Sequence, residues 1–181
     1  NINDICRIKC GSLSNDTSIY IGKQKIKTLK IIKKVLKKNS SKKFYYGKDF
    51  KIKRKKNFYL YKDKKCSLKL HAKQIHSEGL WENIALSVKV ARDLGISNLT
   101  ILKSLKNIKF LGRLHFIKNG KIRKLLSPKE DLILDGCHSI VAIANHIKFL
   151  RSIKKPKYAI WSLMKNREPE KFVKYLKCFK K

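Results

Sequence analysis

Asp135-Gly136-Cys137-His138 puts an acid and an imidazole within four consecutive positions. An apolar run, Leu132-Ile133-Leu134, leads into them, and a helical pattern follows at once. This reads as a buried strand delivering an acid and an imidazole to the start of a helix. In α/β proteins ligands sit at such junctions, at the carboxyl end of a strand. The unsatisfied N–H groups of the helix start favour a phosphate or a carboxylate there. A competing reading is that Asp135 only caps the helix. Gly112-Arg113 upstream is a companion signal, although an Arg after a turn is also an ordinary surface residue.

The elements that must carry these residues follow from periodicity. Residues 1–22 read as a loop leading to a short strand, 18–21, closed by Gly22. The segment 28–39 has apolar residues at near-helical spacing with Lys on the opposite face. The aromatic segments 44–50, 57–63 and 66–72 read as two or three antiparallel strands. A helix is predicted over 80–95, with Gly95 as its stop, and a second is capped by Ser97. Residues 112–127 read as a hairpin with Asn119-Gly120 at the turn. Strand 131–134, helix 139–152, strand 157–163 and helix 169–179 complete the chain. That alternation predicts a parallel sheet with helices packed on it.

The chain has 181 residues and is 43% hydrophobic, enough to build a core. No apolar run is long enough to span a membrane, and the amino terminus lacks the apolar core of a signal peptide. Because the chain also lacks an initial Met, a fragment or processed product is expected. The net charge is +34, yet only 7 of the 46 basic residues are Arg. Lys, Ile and Asn are what A/T-rich codons yield, so genomic bias takes the larger share of this charge. The field still attracts anions without selectivity. Five cysteines do not form a disulfide framework in a chain of this size, and a reducing cytosol fits them best. Cys6 and Cys10 are spaced too widely, and lie too far from Cys66, His71 and His76, to suggest a zinc-thiolate site.

Taken in order, several segments resemble the folylpolyglutamate synthase/dihydrofolate synthase family of the Mur ligase superfamily, in its carboxyl-terminal portion. LILDGCHSIVAIANHI resembles that family's strand followed by Asp-Gly-Ala-His-Asn-Pro. NIKFLGRLHFI resembles its Trp-Pro-Gly-Arg linker, and WENIALSVKVARDL its His-Gln-x-x-Asn-Ala helix. ICRIKCGSL resembles Ile-Gly-x-Glu-Lys-Ala-Gly-Ile, and TSIYIGKQ the strand after it. WSLMKNREPEKF resembles the strand and loop that carry Lys-Asp. The resemblance implies an α/β fold: residues 1–109 as the incomplete end of a central ATP-binding domain, and 110–181 as a truncated, Rossmann-like carboxyl-terminal domain.

The resemblance also implies an ATP-dependent ligase that joins L-glutamate to dihydropteroate or folate through an acyl phosphate. Asn83, Arg113 and Asp135 match the positions that contact the nucleotide. His138 matches the motif His, expected near the glutamate and acyl-phosphate end. Lys9 matches the Lys that becomes carbamylated and helps hold Mg2+. A cytoplasmic protein, monomeric at full length and without a specific nucleic acid, is implied as well.

The departures are several. His-Gln reads Gly79-Leu80, Ala after Asn is Ile84, and Glu of the Lys motif is Ile8. Ala-His-Asn-Pro reads Cys137-His138-Ser139-Ile140, and Lys-Asp reads Arg167-Glu168. No Gly-Lys-Ser or Gly-Lys-Thr phosphate loop occurs. The chain by itself is therefore expected to be inactive, as part or remnant of an enzyme. The rival class is a basic nucleic-acid-binding module. It rests on the Lys clusters and on Phe44, Tyr45, Tyr46, Phe58, Tyr59 and Tyr61 as stacking platforms.

Overall fold

A computed structural model describes residues 1–164 and 168–180. The chain divides into two compact units. One comprises Asn1–Ala72 with Leu80–Asn107, the other Lys73–Gly79 with Ile108–Lys181. The mixed helix and sheet content agrees with the α/β class.

The first unit opens with helix α1, Ile2–Gly11, where a loop was expected. Its cause is local: the Asn1 side chain accepts from the backbone N–H groups of Asn3 and Asp4, and Asp4 reaches back to the Asn1 backbone. Such a reciprocal cap satisfies donors that a helix start leaves free. Strand β1, Ser18–Ile21, follows, then helix α2, Ile26–Val35, prolonged by a 3-10 turn at Leu36–Lys38. Ile19, Ile21 and Leu36 are buried together, with Leu29 and Ile32 packed on them.

Strand β2, Lys42–Tyr45, pairs with β1 in parallel, not with the aromatic strands after it. Tyr20 and Phe44 stand opposite each other in that register, and their rings stack at 4.9 Å. The following strands β3, Phe50–Arg54, β4, Tyr59–Asp63, and β5, Ser67–Leu70, form the expected antiparallel meander. Its alternation sends Phe50, Ile52, Tyr61, Leu68 and Leu70 inward and the lysines outward. Helix α3, Glu78–Asp93, buries Trp81, Ile84, Ala85 and Val88, and Trp81 stacks on Tyr59 at 4.1 Å. Gly95, at φ +82°, ends this passage in a backbone conformation that favours glycine. Helix α4, Asn98–Asn107, is capped as expected, the Thr100 N–H donating to Ser97 Oγ at 3.1 Å.

In the second unit, strand β6, His115–Ile117, leads to a short helix α5, Lys121–Lys124. The hairpin expected about Asn119-Gly120 is therefore not formed. β6 instead pairs antiparallel with strand β7, Leu132–Leu134. Helix α6, Ile140–Ser152, follows, capped by Ser139. Among the described residues 157–163 form no strand, and the parallel sheet expected in the tail is not formed. That segment has apolar side chains at strand spacing, but the ladder bonds that define a strand need a neighbouring partner. Its Trp161 and Leu163 turn toward α6 while Ile160 is exposed. The tail folds back as a 3-10 turn, Pro169–Phe172, and helix α7, Val173–Leu176. Phe172, 1% exposed, packs with Ile143 and Ile147 to make this unit's core. Each such side chain contributes roughly 1.5–3 kcal/mol of burial.

Candidate functional site

The pairing of β6 with β7 creates the junction that the sequence singled out. His115 faces Leu134, so the residues just before β6 meet those just after β7. The Gly136 N–H donates to the Gly112 carbonyl at 2.8 Å, and the Leu114 N–H donates to Asp135 Oδ2 at 2.6 Å. Between these two bonds the chain makes a sharp turn, with Gly112 at φ +66° and Leu114 at φ +47°. Leu114 is a buried, branched residue in a left-handed conformation, a strained state that its surroundings must hold.

That turn sets Arg113 beside Gly136. A Cβ on Gly136 would stand 3.1 Å from Arg113 Nη1 and 3.6 Å from the Gly112 carbonyl oxygen. The absent side chain thus makes room for the guanidinium. His138 is exposed, with Nδ1 2.9 Å from the Gly136 carbonyl. A carbonyl can only accept, so Nδ1 is the donor in this contact. Ser139 then starts α6, its Oγ accepting from the Ala142 N–H at 3.2 Å. Arg113 and His138 thus each lie against Gly136, while Asp135 bonds the Leu114 N–H.

Asp135 faces inward. Its Oδ2 takes the Leu114 amide, and its buried Oδ1 lies 3.2 Å from His146 Nδ1 without the alignment of a hydrogen bond. Burial pushes the His146 ring below its ordinary pKa; Asp135 opposes that and Arg113 adds to it. The neutral ring follows, so the contact is not a salt bridge at neutral pH. Burial also raises the Cys137 thiol, with Asp135 acting in the same direction and Arg113 against it. Asp135, Cys137 and His146 offer ligand atoms all within 4.8 Å of one another.

Cys137 and His146 were not anticipated as members of this site. The available signal was slight: His146 stands three residues after Ile143 and one before Ile147, on the stripe of α6 that the core claims. Lys9 and Asn83 belong to the first unit. Lys9 is exposed in the last turn of α1, and Asn83 is exposed on α3. Arg167 of the Lys-Asp segment lies outside the described residues.

Of the six aromatic residues singled out in the sequence, Tyr61 is buried and Phe44, Tyr45, Tyr46, Phe58 and Tyr59 are half-buried. Tyr61 is fully buried, Tyr59 lies on Trp81, and Phe44 lies between Tyr20 and the Lys89 ammonium. All five cysteines are free thiols. No helix among the described residues is long and apolar enough to cross a membrane.

Solved folylpolyglutamate synthases share this fold. The Thermotoga maritima enzyme superposes with a TM-score of 0.76 at 21% identity, over 96% of this chain and 41% of that one. A folylpolyglutamate synthase complex with AMPPCP and folate gives 0.80 at 15% identity, over 99% and 45%. Escherichia coli FolC in complex with DHPP and ADP gives 0.68 at 16%, over 86% and 35%. No protein-family model and no curated protein matches the chain. The chain thus has the fold of the carboxyl-terminal portion of these enzymes and spans less than half of their length.

Proposed function

We propose that this chain is the carboxyl-terminal part of an ATP-dependent ligase that adds L-glutamate to dihydropteroate or folate. The observation that carries the reading is the clamp between Gly112–Leu114 and Asp135–Gly136. It sets the Arg113 guanidinium beside Gly136 and fixes the Asp135 carboxylate, in a chain with this fold. In the reaction the γ-phosphoryl group of ATP passes to the substrate carboxylate and ADP departs. The glutamate amine then attacks the acyl carbon, phosphate leaves, and the amine gives up a proton. Charge builds on phosphoryl oxygens in the first step, where the planar fork of Arg113 suits them. Asp135, bonded to Leu114, holds the turn that aims Arg113 and stands at the nucleotide. His138, whose Nε2 is not engaged by the Gly136 contact, orients glutamate or takes the amine proton. Asn83, exposed on α3 of the first unit, is a further candidate for nucleotide contact.

Magnesium is the expected companion of ATP in such chemistry, as a clamp on phosphate oxygens. Lys9, exposed in the last turn of α1, would hold it as a carbamate, an oxygen ligand of the kind magnesium takes beside phosphate oxygens.

Titration of the chain with AMPPCP at physiological salt tests the reading. Arg113→Ala is expected to weaken binding by roughly tenfold, the size of one charge-assisted contact. Lys53→Ala, an exposed change on β3, is expected to leave it nearly unchanged. Equal losses in the two variants would assign the binding to the general positive field and refute a built nucleotide site. Complementation of a folate-auxotrophic strain, by the chain alone and by the longest reading frame containing it, tests the ligase activity.

A further inference from the structure

We infer that Asp135, Cys137 and His146 hold one divalent transition-metal ion of the zinc class. The inference goes beyond the ligase reading and does not require it. A carboxylate oxygen, a thiolate sulfur and an imidazole nitrogen are the donor types zinc takes, and here all three lie within 4.8 Å of one another. The donors come from the end of β7, the turn after it and the middle of α6. A bound ion would tie strand end to helix.

The contact between Asp135 Oδ1 and His146 Nδ1 is the sharper observation. The two atoms are 3.2 Å apart, the oxygen is buried, and it accepts no hydrogen bond. A buried carboxylate oxygen left in this way is costly. Tetrahedral bonds of about 2.0–2.2 Å place neighbouring oxygen and nitrogen ligands roughly 3.3–3.6 Å apart, close to the observed separation. A cation between the two lone pairs turns an unsatisfied contact into two bonds. Only Cys137 Sγ must close in, leaving its weak 3.6 Å contact with the Ser139 carbonyl.

The surroundings suit an ion. Asp135 Oδ2 is held by the Leu114 N–H, which fixes the carboxylate's orientation as outer partners of metal ligands do. A carboxylate and a thiolate together neutralise a divalent ion, so the neighbouring Arg113 faces no excess positive charge. His146 is the only imidazole of the group and is buried on α6. The fourth position is left to water or another ligand, as in open zinc sites.

Cobalt(II) is the probe. Titrated into the full chain, it is expected to give a thiolate-to-metal charge-transfer band and the intense visible bands of four-coordination, saturating at one equivalent. Zn2+ should displace it. Cys137→Ser should abolish the charge-transfer band, and His146→Gln should weaken binding by more than about a hundredfold, beyond what loss of an outer partner costs. Cys66→Ser and Cys178→Ser should leave it intact. A band that is missing, or that survives Cys137→Ser, overturns the proposal. Should His146→Gln fail to fold, the unaltered chain decides. Zn2+ is expected to protect Cys137 from iodoacetamide while Cys66 reacts as before, read by peptide mass spectrometry. Equal alkylation of Cys137 with and without Zn2+ overturns the site.

Discussion

Replacing Asp135 tests whether the 112–114 turn is held by a single carboxylate. The 2.6 Å bond from the Leu114 N–H to Asp135 Oδ2 joins a buried backbone donor to a charged acceptor. Such bonds contribute about 1.5–3 kcal/mol. The left-handed Leu114, at φ +47°, adds strain on the order of 1 kcal/mol that this bond helps to hold. In Asp135→Ala the donor loses its partner, but part of the strain relaxes, so the net loss is about 2 kcal/mol. Asp135→Asn keeps an oxygen for the same N–H and loses only the charge, for about 1 kcal/mol. The two variants should thus differ by roughly fivefold in folding equilibrium. Urea unfolding reads this in a Trp81→Phe background, where Trp161, packed on Phe172 in the second unit, is the remaining tryptophan. If Asp135→Ala is no more destabilising than Asp135→Asn, the carboxylate does not hold the turn, and the geometry argued for Arg113 loses its support.

Gly136→Ala should leave folding almost unchanged, because its Cβ would meet the flexible end of Arg113 at 3.1 Å, but should weaken AMPPCP binding by displacing that guanidinium; a nucleotide titration reads it. Ser139→Ala should cost about 1 kcal/mol through the lost cap of α6, seen as faster amide exchange in its first turn. Burial raises the Asp63 pKa, but the bonds from Arg92, the Lys65 N–H and Tyr61 outweigh it and leave the group below its ordinary value. A depressed carboxylate stabilises fully above the unfolded value of about 3.9 and loses that contribution as pH falls through the folded one. Acid unfolding of the first unit should therefore steepen below about pH 4, and Arg92→Ala, costing about 3 kcal/mol at neutral pH, should flatten that dependence. Phe172→Ala should cost about 3–5 kcal/mol in the second unit, measured by the same urea assay.

Sequence periodicity determined what depends on a residue's near neighbours. The apolar stripe of α3 with Gly95 at its end, the cap of α4 by Ser97, the alternation of β4 and β5, and the strand–acid–helix junction at Asp135 were all legible in the order of residues. The Asn1–Asp4 cap was equally local, and its pattern stands in the sequence although a loop was expected there. Tertiary structure alone decided which strands found each other. Phe44 and Tyr45 carry the alternation of the meander, yet their strand pairs in parallel with β1. β6 passes over its nearby turn to join β7, and residues 157–163 gain no partner. Pairing depends on which edges the packed core leaves open, and no local pattern encodes that. The same holds at the candidate site. The types Arg, Asp and His were visible at their positions, but His146 became the neighbour of Asp135 only when α6 turned that ring inward against the strand end.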